Sequence, residues 1–184
     1  MNFPGALSFI VTNLFDLYIM IVLTRFLLQL LRADFYNPVS QFVVKATTPV
    51  LKPLRRMIPG YGGLDNASVV LLLVLILAKL ILWGFINYQV LIVTPPLPFL
   101  LLFIKSVAVT VINYFTLILI VGAIMSWVVQ GYHPIASVLF QLADPIVAPV
   151  RRILPAMGGI DFSPMIVILG LYFLRILFQL EGVP

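Results

Sequence analysis

Four long apolar runs dominate this sequence and restrict what it can fold into. They cover residues 7–31, 68–92, 101–130 and 164–182, and each is close to or above the about 20 helical residues that cross the hydrocarbon core of a bilayer. Charged residues make up only 9% of the 184-residue chain, whereas a soluble domain has about 25%. We therefore predict an all-α integral membrane protein with four transmembrane helices.

A 17-residue stretch occurs twice, at 49–65 and 145–161, with an offset of 96 residues and no gap. Eight positions are identical in the two copies and six more are apolar in both, which indicates an internal duplication. At this offset the first apolar run aligns with the third, and the second aligns with the fourth. We predict two parallel repeats of helix, polar loop and helix, related by an axis along the membrane normal. They are 1–93 and 99–184, and a Pro-rich connector, 94–98, joins them.

The polar loops of the two repeats, 32–67 and 131–163, each begin with an amphipathic segment. Apolar residues recur three and four apart after Pro38 and after Pro134, which predicts a helix with one apolar stripe. Two placements agree with this pattern: the helix packs on the bundle, or it lies in the membrane interface. The stripes consist of Val39, Phe42, Val43 and Ala46, and of Ile135, Val138, Leu139 and Leu142.

The rest of each loop is the duplicated motif, for which we predict mainly a structural role as a turn. Prolines limit helix length, although a proline is also tolerated in a first helical turn. Paired glycines allow a tight reversal, and a carboxylate before the next apolar run can cap its free N–H groups. The residues to which we assign these roles are Pro49, Pro53, Pro59, Gly62, Gly63 and Asp65, and Pro145, Pro149, Pro155, Gly158, Gly159 and Asp161.

Each motif also contains two adjacent arginines. Arg55 and Arg56 in the first copy, and Arg151 and Arg152 in the second, are predicted to face water and to offer a docking surface for a partner protein or for anionic lipid headgroups. Positive residues near the ends of spans favour the cytoplasm, and the two motif loops hold most of them. We therefore expect both motif loops in the cytoplasm and both termini in the periplasm.

Ionisable residues also fall inside the apolar runs: Asp16, Lys79 and Arg175, with Arg25 nearer the loop side, where it can snorkel. Lys79 and Arg175 are 96 residues apart, and each lies about 11 residues into its run, roughly 16 Å deep. A charge there costs at least about 2.5–3.5 kcal/mol. Asp16 lies at a similar depth and can pair with Lys79, although Arg175 competes for the same carboxylate. The alternative to structural pairing is an anionic ligand held between the repeats.

Several functional classes are excluded by residue types that are scarce. The chain has no Cys and a single His, His133, which excludes Cys/His metal sites, iron–sulfur clusters and a bis-His haem site. No catalytic-triad arrangement and no GxxxxGK[ST] phosphate loop is present. The few basic residues sit at the edges of apolar runs, which does not suit direct nucleic-acid binding. We expect no enzyme activity and no cofactor.

The doubled pattern P-x-x-x-P-x-R-R-x-x-P-x-x-G-G-x-D, after a Y-x-P turn and between apolar pairs, resembles the YggT family of bacterial inner-membrane proteins. The likeness covers nearly the whole chain and is most specific over 35–79 and 132–175. It implies a multi-pass protein of the inner membrane. Members of that family have been linked with osmotic-shock tolerance and potassium supply, with the organisation of cell division or nucleoids, and with haem attachment in plastids.

Two functions agree with these observations. The first is a non-enzymatic membrane scaffold or assembly factor that binds membrane lipids and other membrane proteins at its Arg-Arg loops. The second is a component of an ion or osmolyte pathway, lined by Asp16, Lys79 and Arg175, that supports tolerance of osmotic stress. Self-association as a homo-oligomer is open in either case.

Overall fold

The computed structural model describes residues 3–61, 63–88, 95–129, 131–154 and 161–180, together with residue 183. Within these residues the protein consists of six α-helices and has no β-strand. The helices are α1 (Phe3–Leu30), α2 (Pro38–Met57), α3 (Asn66–Tyr88), α4 (Pro96–Val128), α5 (Pro134–Ile153) and α6 (Ser163–Leu177). The all-α prediction is confirmed. In this part of the chain α1, α3 and α4 are the three helices long and apolar enough to cross a membrane.

α6 is shorter than predicted. Its 15 residues extend about 22 Å at 1.5 Å per residue, whereas the hydrocarbon core is about 30 Å thick. The helix stops because Gln179 adopts a left-handed backbone conformation, with φ at 51°, and the N–H of Leu180 donates to the carbonyl of Arg175, which closes a Schellman turn. The prediction of a fourth spanning helix over 164–182 is therefore wrong.

The prolines of the motif do not break the helices that contain them. Pro49 and Pro53 lie inside α2, and Pro145 and Pro149 lie inside α5. The expectation that these prolines limit a helix or open a new turn is wrong. All four residues are exposed, so the missing N–H groups and the proline rings lie at the helix surface, where they do not disturb the packed side.

A turn follows α2 and leads into α3. The helix ends at Met57, Pro59 follows outside it, and Gly63 has a φ of 85°, a conformation that glycine adopts without strain. Asp65 comes directly before α3, and its carboxylate accepts from the Ser68 hydroxyl at 2.5 Å. Of the other predicted turn residues, four lie outside the described part of the chain: Gly62, Pro155, Gly158 and Gly159.

The core lies between α1 and α3 and extends to the inner sides of α2, α4 and α5. Its buried residues are mostly branched aliphatic side chains, whose association within a membrane depends on close packing rather than on the exclusion of water. They include Ile19, Val22 and Leu23 from α1, Leu71, Leu72 and Ile76 from α3, Val43 and Leu51 from α2, Ile118 from α4, and Val138 and Leu142 from α5. The outer sides of α1, α3 and α4 are apolar and exposed, as lipid-facing surfaces are. Examples are Phe9, Leu14, Leu17, Val74, Leu101 and Ile104.

α2 and α5 meet at their N-terminal ends. Asn37 caps α2 by accepting from the Val39 N–H at 2.9 Å, and its amide Nδ2 donates to the carbonyl of Pro134, the first residue of α5, at 2.9 Å. The Asp34 N–H also donates to Gln141 Oε1 in α5 at 3.3 Å. One asparagine therefore starts the first amphipathic helix and holds it to the second.

Candidate functional site

Arg55 closes the turn between α2 and α3. Its Nε donates to Asp65 Oδ1 at 3.2 Å, and its Nη2 donates to Oδ2 of the same carboxylate. Nη2 also lies 3.4 Å from Gln29 Oε1 in α1. A contact of this kind, with two parallel bonds between arginine and carboxylate, fixes geometry as well as adding energy. We call it the Arg–Asp clasp; it ties the end of α2 to the start of α3 and to the end of α1.

The Asp65 side chain is charged although it is only 4% exposed. Burial by itself raises the pKa of Asp65, but the hydrogen bonds from Arg55 and from the hydroxyl and backbone N–H of Ser68 together outweigh burial and hold the pKa below its usual value. Asp65 therefore stays ionised at neutral pH. Its partner Ser68 lies in the first turn of α3, where a carboxylate is favourable.

The second motif repeats the clasp in a more open form. Arg151 Nε donates to Asp161 Oδ2 at 2.9 Å, and Asp161 Oδ1 accepts from the Ser163 N–H at 2.9 Å. The Asp161 side chain is 36% exposed, and Asp144 in α5 adds a second carboxylate 3.4 Å from Arg151 Nη1. Burial raises the pKa of Asp161, and the hydrogen bonds from Ser163 and Arg151 lower it by more. Both copies of the motif thus end in an Arg–Asp clasp.

The second arginine of each pair has a different environment. Arg56 and Arg152 are exposed, and neither has a hydrogen bond or an ion pair within the described ranges. The residues that follow them, Met57 and Ile153, are each 80% exposed. The sequence predicts the same surface role for both arginines of each pair. The structure separates them, because the first belongs to the clasp and the second lies at the surface beside an exposed apolar side chain.

α2 presents three different sides. Val43, Thr47 and Leu51 form the buried side, so the helix does pack on the bundle. At 3.6 residues per turn, the exposed residues divide into an apolar face and a basic face, an arrangement typical of a helix that lies in a membrane interface. The apolar face consists of Phe42, Val50 and Met57, and the basic face consists of Lys45, Lys52 and Arg56.

A polar cavity of about 250 Å³ is lined by residues of α1, α3 and α4 in the apolar part of the protein. On its wall Lys79 Nζ donates to Asp16 Oδ1 at 2.8 Å, which is the pairing that the depths of these two residues predict. The Lys79 side chain is 3% exposed and that of Asp16 is 42% exposed. The ammonium group is therefore enclosed, and the carboxylate remains accessible.

Arg175 does not share the Asp16 carboxylate. Its Nη1 lies 3.3 Å from Asn113 Oδ1, and its Nε is buried without a hydrogen-bond partner in the described part of the chain. Asn113 also lines the polar cavity. Lys79 and Arg175 therefore have different partners although they are equivalent in the duplication. The second copy has no carboxylate equivalent to Asp16, because the residue 96 positions after Asp16 is Ile112.

Tyr114 and Thr24 form a link that the sequence analysis did not predict. Tyr114 Oη and Thr24 Oγ1 share a hydrogen bond of 2.9 Å that joins α4 to α1 beside the polar cavity. Tyr114 aligns with Tyr18 in the duplication, and the hydroxyl of Tyr18 is buried with no partner among the described residues. The aligned tyrosines are a signal in the sequence, but Thr24 becomes the partner of Tyr114 only once α1 and α4 are packed.

The chemical groups of these sites suit charge recognition. Within the described ranges no cluster of three or more His, Cys, Asp or Glu residues is arranged to hold a metal ion. The acids Asp16, Asp65 and Asp161 are each paired with a basic side chain. The arrangement can bind anionic groups at its exposed arginines and can hold water or a small polar solute in the cavity.

A protein-family model described as CCB3/YggT matches residues 4–86 and 101–180. Each matched stretch contains one Arg–Asp clasp and one of the two basic residues, Lys79 and Arg175, that lie in the apolar part. The chain belongs to the CCB3/YggT family. The resemblance found in the sequence is thereby confirmed.

Relatives of this CCB3/YggT chain are found in several bacteria. "Uncharacterized protein YggT" of Escherichia coli (strain K12) is 45% identical over 169 residues, covering 91% of this chain and 86% of the relative. "Uncharacterized protein in proC 3'region" of Vibrio alginolyticus is 45% identical over 179 residues, covering 94% and 93%. "Uncharacterized protein" of Haemophilus influenzae is 37% identical over 163 residues, covering 89% and 86%. No solved structure matches the chain at a significant level.

The two CCB3/YggT matches are separated by residues 87–100. This interval contains the predicted connector 94–98. α4 begins at Pro96, so the last three residues of the connector are already helical. Proline is tolerated there because the first N–H groups of a helix have no intrahelical partner.

Proposed function

We propose that this chain is a non-enzymatic scaffold or assembly factor of the bacterial inner membrane, and that its docking surface for anionic lipid headgroups or partner proteins is formed by α2 and α5. One observation carries the proposal: Arg56 and Arg152 are exposed at equivalent positions, each followed by an apolar residue that is 80% exposed. A cation beside an exposed apolar side chain suits a membrane interface, since the apolar group can enter the acyl region while the cation meets phosphate.

The clasps support this proposal because they fix the exposed arginines in place. Arg55 and Arg151 are bonded to Asp65 and Asp161, so the next residue projects from an anchored helix end. Interaction sites on rigid elements are more precise than those on free loops. The basic face of α2 adds two lysines to the same surface.

Lipid composition around the purified protein tests the docking surface. The protein is extracted with its surrounding lipid in polymer discs, and the ratio of phosphatidylglycerol to phosphatidylethanolamine is measured. Each surface charge contributes about 1 kcal/mol, so the double variant Arg56→Gln/Arg152→Gln should lose tenfold or more of its preference, at about 1.4 kcal/mol per tenfold.

The control variant is Lys105→Gln, which removes a charge from the other end of the bundle, where Lys105 contacts the carbonyl of Gln179 at 3.4 Å. It should leave the lipid ratio near that of the wild type. An unchanged ratio in the arginine double variant would contradict the proposed docking surface for lipid. If that variant loses a captured membrane partner while its lipid ratio is unchanged, the surface formed by α2 and α5 binds a protein instead of lipid.

The orientation in the membrane is part of the proposal. The motif loops contain seven Lys and Arg residues, whereas the N-terminal stretch and the connector 94–98 contain none, so the motif side belongs in the cytoplasm. α6 starts on the motif side, and its C-terminal end points to the periplasmic side. The charged residues of the loops are Arg32, Lys45, Lys52, Arg55, Arg56, Arg151 and Arg152.

Cysteine labelling tests this orientation, because the chain has no Cys of its own. Tyr61→Cys and Tyr132→Cys place a thiol at exposed positions on the motif side, and Leu97→Cys places one at the start of α4. A membrane-impermeant maleimide added to spheroplasts should label only the Leu97→Cys variant. Labelling of the Tyr61→Cys or Tyr132→Cys variant from outside would reverse the orientation.

The polar cavity favours a second candidate function, a component of an ion or osmolyte pathway. Asp16 remains 42% exposed beside a cavity of about 250 Å³ in the apolar part of the protein, and intramembrane ionisable groups often mark such pathways. Potassium flux into liposomes that contain the purified protein is the measurement. Flux that is lost in Lys79→Leu or Arg175→Leu protein would support the pathway, and flux equal to that of empty liposomes would end it.

A further inference from the structure

A second cavity of about 120 Å³ lies at the motif end of α1, distinct from the polar cavity and next to the first clasp, with which it shares the contact residue Gln29. Its walls come from the last turns of α1, from the segment that follows, and from the start of α2. The polar residues that line it are Arg25, Gln29 and Ser40, and Phe35 covers it from the connecting segment. Arg25 and Ser40 take no part in the functions proposed above, and Gln29 touches the first clasp only through its Oε1.

Each of these polar residues has a hydrogen-bond donor to spare. Ser40 is 2% exposed, and its Oγ has no partner in the described part of the chain. Arg25 Nη1 is likewise buried and unpartnered there. Gln29 accepts from Arg55 through its Oε1, so its NH₂ group is available as a donor. Unsatisfied buried donors are unfavourable, and two of them, beside the exposed Gln29 amide, around one small space indicate a site for an acceptor.

The charges around the cavity select an anion. Among the described residues Arg25 has no carboxylate within ion-pair distance. The charged groups that act on it most strongly are Arg55 and Asp65, and these two are bonded to each other. One positive charge is therefore left without a counter-charge. A charge that is partly removed from water, as Arg25 is, is stabilised by a counter-charge and by hydrogen bonds.

The depth of the cavity corresponds to that of lipid phosphate. α1 has 28 residues, about 42 Å at 1.5 Å per residue, which matches a bilayer with its headgroup layers, about 40–45 Å. Arg25 lies five residues before the end of α1, or about 8 Å below it. This is the level at which headgroups border the hydrocarbon core.

We propose that Arg25, Gln29 and Ser40 form a binding site for a phosphate group. The guanidinium supplies the charge and the fork of donors that suits phosphate oxygens, and the serine hydroxyl and the glutamine amide supply two neutral donors. The cavity is several times the about 30 Å³ that one water molecule occupies in the liquid, which is enough for a phosphate group. The phosphate belongs either to a phospholipid headgroup of the cytoplasmic leaflet or to a phosphate ion from the cytoplasm.

Binding to the purified full-length protein tests the site. The protein in nonionic detergent is freed of lipid and titrated with inorganic phosphate in one arm and with short-chain phosphatidylglycerol in the other, and binding is followed by ³¹P NMR and by the thermal midpoint. The wild type should bind one of the probes. Arg25→Met should weaken that binding about tenfold or more, and Ser40→Ala about fivefold, since charged and neutral hydrogen bonds differ in this way.

Ser40→Ala also separates binding from folding. Removing an unsatisfied hydroxyl should leave the probe-free protein as stable as the wild type or more stable, while phosphate affinity falls. If Arg25→Met protein does not fold, Arg25→Lys keeps the charge, loses the fork and should bind with intermediate affinity. The control is Lys105→Gln, which removes a charge at the other end of the bundle and should bind the probes as the wild type does.

The outcomes are distinct. Saturable binding of phosphatidylglycerol alone assigns the site to a lipid headgroup, and binding of inorganic phosphate assigns it to an ion from water. Binding of neither probe to the wild type, or equal affinity in the wild-type, Arg25→Met and Ser40→Ala proteins, would overturn the site and identify the cavity as a water-filled space. These results do not depend on the docking surface, because that surface is tested with Arg56 and Arg152.

Discussion

Arg55 and Asp65, ten residues apart, form a two-bond ion pair in which the carboxylate is 4% exposed and the arginine 38% exposed. The same relationship joins Arg151 to Asp161, with both side chains more exposed. The first arginine of each Arg-Arg pair thus belongs to the fold, and the stability of the protein should depend on it.

Replacing Arg55 with Gln should lower the free energy of unfolding by about 1.5–3 kcal/mol, the range for hydrogen bonds to a charged group. The variant leaves a buried carboxylate with only Ser68 as a partner. The measurement is the thermal midpoint in detergent. Arg56→Gln is the matched control and should change the free energy by less than about 0.5 kcal/mol. Equal effects of the two variants would mean that the clasp contributes nothing.

The second clasp should contribute less than the first. Asp161 is 36% exposed, and an ion pair in contact with water is typically worth under about 1 kcal/mol. Arg151→Gln should therefore lower the thermal midpoint less than Arg55→Gln does. A larger loss of thermal midpoint for Arg151→Gln would show that the exposure of the carboxylate does not determine how much each ion pair stabilises the protein.

Acid should weaken the first clasp. The pKa of Asp65 is lower in the folded protein than in the unfolded chain. The stability from this group is therefore fully present above the unfolded pKa, about 3.9, and is lost as the pH falls from there through the folded pKa. Thermal midpoints measured from pH 7 to pH 3 should fall more steeply below pH 4 for the wild type than for Asp65→Asn. Parallel curves would contradict the lowered pKa.

The Asp16–Lys79 pair should show strong coupling. Asp16→Asn leaves an enclosed ammonium without its carboxylate, and breaking a buried pair in this way costs about 3–5 kcal/mol. Lys79→Met leaves a carboxylate that borders the polar cavity, which can hold water, so it should be less damaging. The double variant should be more stable than Asp16→Asn alone. Additive losses in thermal midpoint would mean that the two side chains do not interact.

The two aligned tyrosines should respond differently to the loss of a hydroxyl. Tyr114→Phe removes the bond to Thr24 that joins α4 to α1 and should lower the free energy of unfolding by about 1 kcal/mol. Tyr18→Phe removes a buried hydroxyl without a partner in the described ranges and should be neutral or stabilising. Thermal midpoints of both variants give the comparison, and an equal loss in both would contradict the assigned bond.

The length of the apolar runs and the depth of the charged residues within them predict much of this fold. Three of the predicted spans correspond to α1, α3 and α4, since a run of apolar residues has few stable alternatives to a membrane helix. The pairing of Asp16 with Lys79 followed from their similar depths, because a charge in an apolar surrounding needs a nearby partner. Arg175 could not be resolved in the same way, since its contact with Asn113 depends on how α4 and α6 are rotated.

The sequence does not predict the local backbone geometry at the end of α6 or along α2. Gln179 ends α6 in a left-handed conformation that is usually adopted by glycine or asparagine. The residue type at this position therefore does not predict the end of the helix. Pro49 and Pro53 lie within α2 because both are on its exposed surface. This depends on the phase of the helix, that is, on its rotation about its own axis. The same phase separates Arg55 from Arg56, since consecutive residues point about 100° apart at 3.6 residues per turn.

The bond from Asn37 to the Pro134 carbonyl spans 97 residues, and this sets an order of assembly during translation. At roughly 5–20 residues per second, the ribosome needs about 5–20 s to deliver Pro134 after Asn37. The clasp of Arg55 with Asp65 spans ten residues and can close as soon as both have left the exit tunnel. Until the second amphipathic helix is made, the unit of α1, α2 and α3 therefore lacks the acceptor for the Asn37 amide. A nascent chain arrested before residue 134 would be the natural form in which to isolate that unit.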